Sequence, residues 1–270
     1  MKIRIIAAAI LLPLLLAVVL LLPKALTAVL FGVLSVVGAW ELLQGTGLVQ
    51  QQRLVGYGMI MAFFVTFWSG VHTEYLMPLG MFVFFCVLFG ELLIAHKTLP
   101  LAEIALTAVA GIVIPYLLSA VVRIHSQSYG RVLILLPFVI AFVSDTGAYF
   151  TGCALGKHKL APTVSPKKTV EGFVGGIVSA VVAVAAFCLV MDKVLHLEVR
   201  YLYIPVYGIL GSLAAVFGDL CFSAVKRQTG IKDYGKLIPG HGGVLDRFDS
   251  MIVVAPLVEL LMVYLPMVVN

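Results

Sequence analysis

Hydrophobic residues in this chain form long runs that are separated by short polar segments. A run of about 17–25 apolar residues can cross a bilayer as a helix, because the hydrocarbon core is about 30 Å thick. Nine runs approach or meet this length, at about 3–22, 25–44, 54–70, 76–95, 101–121, 131–151, 171–190, 203–222 and 251–269. The third run is short, and only a few polar residues separate the fourth from the fifth. The pattern predicts an all-α, polytopic integral membrane protein with about nine transmembrane helices.

Composition agrees with this class and excludes others. The chain is 62% hydrophobic and 11% charged, and its mean hydropathy is +1.12, whereas soluble domains are about 45–50% apolar. Nucleic acid is not an expected partner, because no soluble basic domain is available to hold it. The four cysteines lie in or at the ends of apolar runs without the C-x-x-C spacing of metal sites, which favours a packing role.

The distribution of basic residues predicts the orientation in the membrane. The first apolar run is longer than the 7–15 residues of a signal peptide, so we expect an uncleaved first span. With a cytoplasmic N-terminus, 13 of the 18 Lys and Arg residues fall on the cytoplasmic side. The two richest loops, 152–170 and 223–250, lie there together. The sequence thus predicts a compact bacterial-type protein of the inner membrane, and its net charge of +5 also suits anionic lipid headgroups.

Polar residues are unevenly divided between the two halves of the chain. Residues 1–130 are nearly featureless apolar helices, which suggest a transmembrane scaffold. Residues 131–270 carry almost all the polar clusters and are predicted to form the catalytic half, with the two cytoplasmic loops.

Two aspartates lie inside predicted spans, and such residues are functional candidates because a charge in lipid costs several kcal/mol. Asp145 is late in the sixth span and Asp219 is late in the eighth. Asp219, Ser223, Lys226 and Arg227 have helical spacing, which predicts a polar stripe along one helix face. An internal salt bridge or a helix–helix hydrogen bond is the alternative for either acid.

Two further acids, Asp246 and Asp249, precede the ninth span. If a helix begins near Val244, both carboxylates point the same way. Mg²⁺ takes a few hard oxygen ligands and leaves its other positions to water and phosphates, and two such ions can clamp a phosphoryl transfer. Asp249 could equally be an acid that is favoured by the helix dipole.

Two loop motifs suggest anion binding. The P-G-H-G-G run at 239–243 could form a backbone nest for an anion, and His241 could contact phosphate or be an ordinary loop histidine. In S-P-K-K-T-V-E-G at 165–172, Ser165 and Pro166 predict a helix start that carries Lys167 and Lys168 as a phosphate receptor. A plain positive-inside flank is the alternative there. Gly172 and Gly176 form a G-x-x-x-G pattern, which usually means close helix packing.

The segment 223–249 resembles the signature of the phosphatidate cytidylyltransferase (CDP-diacylglycerol synthase) family. Twelve residues stand at matching positions: Ser223, Lys226, Arg227, Lys232, Asp233, Gly235, His241, Gly242, Gly243, Asp246, Arg247 and Asp249. The S-P-K-K-T-x-E-G and S-D-T-G-A-Y segments are also similar to that family, although Val170 stands where Trp is more often expected. A P-loop is excluded, because Leu237 replaces the required Ser or Thr after Lys236.

The resemblance implies transfer of the cytidylyl group of CTP to phosphatidate with Mg²⁺, giving CDP-diacylglycerol and pyrophosphate for phospholipid biosynthesis. We expect direct in-line attack without a covalent enzyme intermediate. Asp219 and Asp246 are the principal metal candidates, with Asp249 and Asp145 behind them and a second metal ion left open. Phosphates are assigned to Lys167, Lys168, Lys226, Arg227, Lys232, Arg247, Gly242 and Gly243. Ser223 and His241 are assigned to positioning within the catalytic group, which also includes Asp219, Asp246, Lys226 and Arg227.

Two other classes stay open on sequence alone. Another CTP-using lipid enzyme, such as a polyprenol or phytol kinase or a synthase for archaeal ether lipids, would use similar groups. A transporter with ion-binding acids is disfavoured, because the polar residues gather at one face and no internal repeat is visible. The sequence leaves acyl-chain preference, cytosine selection and a homodimer undecided.

Overall fold

A computed structural model describes residue 13 and residues 15–70, 75–237, 240 and 242–268. The described helices are α1 (Lys24–Trp40), α2 (Gln52–Trp68), α3 (Leu76–Ile94), α4 (Leu101–Ala108), α5 (Ile114–Leu118), α6 (Ala120–His125), α7 (Gly130–Leu133), α8 (Leu135–Leu155), α9 (Val170–Lys193), α10 (Ile204–Gln228), α11 (Leu245–Phe248) and α12 (Met251–Tyr264). π-Helical turns at Glu41–Gly45 and Val109–Val113 continue α1 and α4, and a 3₁₀ turn at Tyr201–Tyr203 precedes α10. Two short antiparallel strands, β1 (Lys159–Ala161) and β2 (Ser165–Thr169), form a hairpin between α8 and α9.

These elements fall into two compact units. Unit 1 contains the described residues as far as Ser126 together with Gln228–Phe248, and unit 2 contains Gln127–Arg227 together with the described residues from Asp249 onward. The signature segment therefore contributes residues to both units. The division of labour predicted between 1–130 and 131–270 stays a prediction.

The helices confirm an all-α polytopic membrane protein. Within the described part of the chain, six helical segments are long and apolar enough to cross a membrane: Lys24–Gly45, Leu76–Ile94, Leu101–His125, Gly130–Leu155, Val170–Lys193 and Tyr201–Gln228. They coincide with six of the predicted spans. Helices α2 and α12 occupy two more predicted spans but are shorter, and the first predicted span lies mostly outside the described residues. The count of nine and the cytoplasmic N-terminus stay predictions.

Unit 1 is built on close packing of α1 against α2. The Cβ of an alanine at Gly32 would lie 2.9 Å from the Phe63 ring, so the glycine makes room for this aromatic side chain. The buried Thr66 hydroxyl donates to the Ser35 hydroxyl at 2.8 Å between the same two helices. Small residues and hydroxyl pairs of this kind hold membrane helices together, because apolar side chains gain little there by leaving lipid.

In unit 2, helices α8 and α9 also pack closely through small residues. A Cβ added at Gly172 would lie 2.7 Å from the Ala148 carbonyl oxygen, and one at Gly176 would lie 3.0 Å from the Ser144 carbonyl oxygen. The G-x-x-x-G pattern is thus a helix-packing surface, as expected. The Ser144 hydroxyl also forms a buried 2.7 Å hydrogen bond with the hydroxyl of Ser212 on α10.

The predicted helix start at Ser165 and Pro166 is wrong. Residues Ser165–Thr169 form strand β2, and α9 begins at Val170. The N-cap is Thr169, which has extended backbone angles and accepts the Gly172 N–H through its hydroxyl at 3.1 Å. Antiparallel pairing with β1 keeps the backbone extended for five residues beyond the expected start. Lys167 and Lys168 consequently lie on a strand and not on the first turn of a helix.

The helix expected from Val244 into the ninth span is divided. Helix α11 begins at Leu245, close to the expected start, and ends at Phe248, and α12 begins at Met251. The Asp249 carboxylate accepts the N–H of Ser250 at 2.7 Å within the intervening turn. Because the helix is interrupted, the three-residue spacing of Asp246 and Asp249 does not define one continuous helix face.

The close packing of α8 against α9 gives the first testable prediction. Gly172→Ala should lower the free energy of unfolding by about 1–3 kcal/mol, because the new methyl group meets a backbone oxygen that cannot rotate away. Thermal unfolding of the purified protein in detergent measures the change. Gly90→Ala is the control, since nothing lies within 4 Å of a Cβ at that helical glycine. Equal stability of the two variants would contradict the packing role.

Candidate active site

The cation–carboxylate pair of unit 2 joins the hairpin to α10. Lys168 of β2 forms an ion pair with Asp219, and the two side chains are 26% and 24% exposed. A half-buried pair is screened less by salt than a surface pair. Two residues that sequence reasoning assigned to phosphate and metal thus lie together beside the C-terminal half of α10.

Asp249 lies in the same neighbourhood and is buried. Burial raises the pKa of Asp249 to about 7, and the nearby Asp219 and Asp145 carboxylates act in the same direction. The Ser250 N–H and the Lys226 ammonium oppose the rise. Unit 2 therefore gathers three predicted metal candidates and two predicted phosphate ligands, Lys168 and Lys226.

Gly218 allows Asp249 to approach α10. A Cβ at Gly218 would lie 2.6 Å from the Asp249 carbonyl oxygen and 3.1 Å from the Ser250 Cα, so a larger residue would push this turn away. The sequence analysis did not select Gly218. The only sequence signal was the glycine itself, which is the residue type that permits a close approach of two backbones.

The acids of unit 2 have the right chemistry for a hard divalent cation. Across the described residues, no group of three or more His, Cys, Asp and Glu side chains is arranged to hold a metal ion by itself. Mg²⁺ often binds through only one or two carboxylates, with water and phosphate oxygens completing its shell. A cation beside Asp219 and Asp249 would offset both the burial and the mutual repulsion that raise the pKa of Asp249.

The polar stripe predicted on α10 is present but its residues differ in exposure. Ser223 and Lys226 are buried, whereas Arg227 is exposed and its Nε–H donates to the Val164 carbonyl oxygen at 3.1 Å. Arg227 thereby ties the end of α10 to the turn of the hairpin. Lys167 is exposed on β2.

The root of the hairpin is fixed by Glu171 in the first turn of α9. Its carboxylate accepts the Lys157 N–H at 3.0 Å and the His158 N–H at 3.2 Å. The His158 ring lies 2.6 Å from the same carboxylate through Nδ1. These bonds secure the chain on both sides of β1 and β2, and so they help to orient Lys168.

In unit 1, Asp246 organises the glycine-rich part of the signature. Its Oδ2 accepts the N–H of Tyr234 at 2.8 Å and that of Gly243 at 3.0 Å. Gly242 has a φ of +87°, and a Cβ there would lie 2.8 Å from the same oxygen. The carboxylate thus folds the segment around itself, which gives a structural reason for an acid three residues after Gly243.

The remaining signature residues of unit 1 are mostly accessible. Lys232 and Arg247 are exposed, and their predicted phosphate roles stay predictions. His241 lies outside the described residues, so its predicted role stays a prediction. The Gly243 N–H, predicted to bind an anion, donates to Asp246 in this structure, and the phosphate roles of Gly242 and Gly243 also stay predictions.

Three buried acids of unit 1 escaped the sequence analysis: Glu41, Glu91 and Glu103. Glu41 follows α1 and is fully buried, and its carboxylate accepts the N–H of Val244 at 2.9 Å and of Leu245 at 2.8 Å. It is the single acid in a predicted apolar span at 25–44. The rule that selected Asp145 and Asp219 also applied to it.

The sequence of this chain is similar to one protein family and to several bacterial enzymes. The chain matches the cytidylyltransferase family over residues 2–265. It is 41% identical to the phosphatidate cytidylyltransferase of Staphylococcus haemolyticus over 138 residues, which are 51% of this chain and 52% of that protein. Identity to the Bacillus subtilis enzyme of the same name is 39% over 170 residues, which are 63% of this chain and 62% of that protein. For Staphylococcus aureus it is 40% over 139 residues, 52% of each chain. The chain spans about half the length of most of these curated relatives.

The Lys168–Asp219 ion pair gives the second testable prediction, which concerns cation binding at Asp219. Lys168→Met should strengthen Mn²⁺ binding about 30-fold, because it removes a unit charge whose repulsion of a divalent cation about 4 Å away is about 2 kcal/mol in a water-like environment. Electron paramagnetic resonance of free Mn²⁺ measures the affinity without any turnover. Lys159→Met removes an exposed cation from β1 of the same hairpin and should have little effect. Unchanged affinity in Lys168→Met would mean that Asp219 is not part of a cation site.

Proposed function

This chain belongs to the cytidylyltransferase family, and on that premise we propose that it transfers the cytidylyl group of CTP to phosphatidate. The products are CDP-diacylglycerol and pyrophosphate, so the protein acts in phospholipid biosynthesis. The observation that carries the proposal is the meeting of Asp219, Asp249 and Asp145 with Lys168 and Lys226 in one apolar helical unit. Opposite charges gathered in this way suit a reaction between two polyanions.

The reaction is balanced as a single displacement. A phosphate oxygen of phosphatidate forms a bond to the α-phosphorus of CTP, and the bond from that phosphorus to the oxygen that bridges to the β-phosphorus breaks. Pyrophosphate leaves with the bonding pair. No covalent enzyme intermediate is required, and catalysis consists of positioning and charge stabilisation.

The residues have separate tasks in this proposal. Lys168 and Lys226 neutralise phosphate charge in unit 2, and Ser223 donates a hydrogen bond beside them. Arg227, Lys167, Lys232 and Arg247 are more exposed and hold phosphates nearer to water. Asp219 and Asp249, with Asp145 near them, would hold Mg²⁺, which when bound supplies charge stabilisation to the phosphates. Asp246 shapes the glycine-rich segment and is the second principal ligand expected from the sequence.

The location of the activity follows from the same features. The protein is an integral membrane protein, and the excess of basic residues in loops 152–170 and 223–250 supports an active site on the cytoplasmic face of a bacterial inner membrane. Phosphatidate would enter from the bilayer and CTP from water. Exposed apolar side chains on α3, such as Phe82, Phe85 and Phe89, are available to lipid or to a second copy of the chain.

Product analysis tests the function directly. Purified protein in detergent is given phosphatidate, Mg²⁺ and each nucleoside triphosphate in turn. We expect pyrophosphate and a CDP-lipid with CTP, dependent on both lipid and metal. Release of CDP together with a phosphorylated lipid would instead identify a kinase. A folded protein that is silent with every nucleotide would refute the proposal and favour transport.

The third testable prediction concerns the need for the Asp219 and Asp249 carboxylates in catalysis. Asp219→Asn and Asp249→Asn should each lower kcat at least about 100-fold, because each removes a charge that acts in the water-poor site. Initial rates of pyrophosphate release at saturating substrates measure the effect. Asp192→Asn is the matched control, since this acid of α9 pairs with Tyr201 and Lys193 and has no assigned role. Near-normal kcat in both site variants would refute the metal assignment.

A further inference from the structure

The glycine-rich part of the signature is attached to the first described helix of unit 1. Leu245 packs against Gly38, where a Cβ would lie 3.2 Å from the leucine side chain. Phe248 meets Phe31 edge to face with ring centroids 6.1 Å apart. A segment that sequence reasoning treated as part of the second half therefore rests on α1.

Glu41 is the polar centre of this attachment. One carboxylate oxygen accepts the Val244 N–H at 2.9 Å, and the other accepts the Leu245 N–H at 2.8 Å. The side chain is fully buried. Hydrogen bonds to a charged group are stronger than neutral ones, and a buried amide left without its acceptor is costly. These two bonds consequently fix the start of α11.

The glycines around Glu41 fit its carboxylate closely. A Cβ at either Gly235 or Gly243 would collide with the Glu41 carboxyl group. A Cβ at Gly45 would lie 2.5 Å from the Tyr234 carbonyl oxygen, so the π-helical turn Glu41–Gly45 meets the segment at a second point. π-Helical turns are rare and are frequent at functional sites.

Two buried carboxylates therefore shape one segment from opposite ends of the sequence. Asp246 accepts the Tyr234 and Gly243 amides, and Glu41 accepts the next two amides, at residues 244 and 245. The exposed side chains that this segment presents include Lys232 and Arg247. Among the described residues, the segment is not part of a helix long enough to cross a membrane, and its exposed cations suit the polyphosphate of a water-soluble nucleotide.

We propose that Glu41 is a positioning residue for the nucleotide: its carboxylate holds residues 242–245 in place, so that the exposed Lys232 and Arg247 on either side can bind the triphosphate of CTP. This inference rests on the proposed function. It assigns the water-soluble substrate to the segment of unit 1, and it gives a positioning role to a residue of the π-helical turn that follows α1.

Glu41→Gln tests the proposal, because the amide keeps the shape of the side chain but can accept only one of the two backbone N–H groups. We expect KM for CTP to rise about 10-fold, as loss of one charge-assisted hydrogen bond allows, with KM for phosphatidate changed less than about twofold. Loss of folded protein lowers kcat but moves neither KM. Hydrogen–deuterium exchange should become faster in peptides that cover residues 242–248.

Glu103→Gln is the matched control. Glu103 is also buried in unit 1, and its carboxylate accepts one backbone N–H, from Gln50, at 3.1 Å. It should lose stability without a change in either KM. If Glu41→Gln yields no folded protein, Gly235→Ala disturbs the same contact from the other side and should raise KM for CTP in the same selective way.

The outcomes separate this inference from the proposed function. An active Glu41→Gln enzyme with unchanged KM for CTP, or with both KM values raised equally, overturns the role of Glu41 alone. A wild-type protein that releases no pyrophosphate from CTP overturns the proposed function, and the nucleotide role of Glu41 fails with it. Faster exchange at 242–248 with unchanged CTP dependence would reduce Glu41 to a structural anchor, which also contradicts the proposal.

Discussion

A carboxylate buried among apolar helices must be given hydrogen-bond donors or cations, since its desolvation otherwise costs several kcal/mol. This constraint organises both units. Glu41 and Asp246 are satisfied by backbone amides, whereas Asp219 is satisfied by Lys168. Each of these hydrogen-bonded or ion-paired carboxylates attaches one polar segment to the apolar helices at a defined point. The positions of the candidate site residues follow from these attachments.

Carboxylates that are satisfied by backbone amides and carboxylates that are paired with cations differ in what they can do chemically. Amides that donate to Glu41 and Asp246 are committed to the fold, so these acids act mainly by shaping the backbone of the signature segment. In unit 2, burial raises the pKa of Asp249, and the nearby carboxylates of Asp219 and Asp145 raise it further. A group of acids that repel each other beside Lys168 and Lys226 is suited to exchange partners with a cation and with phosphates.

Glycines make these approaches geometrically feasible. Gly218 admits the Asp249 turn to α10, and Gly172 and Gly176 bring α9 against α8. In unit 1, Gly235 and Gly243 leave room for the Glu41 carboxylate. A side chain at any of these positions would meet a backbone atom or a buried carboxyl group, so the polar groups of the site depend on close helix packing that apolar burial alone does not specify.

The sequence by itself determined the membrane class, the helical segments and the family resemblance, because run length, mean hydropathy and a dense signature at 223–249 are local properties of the chain. The same reasoning found Asp219, Asp249 and Lys168 as candidates. Only the tertiary structure decided that Lys168 lies on a strand, that Asp246 binds two loop amides and that Glu41 holds the signature from about 200 residues away. Strand pairing and buried hydrogen bonds join residues that are distant in sequence, and no local pattern of hydrophobic and polar positions encodes which amide a buried carboxylate will accept.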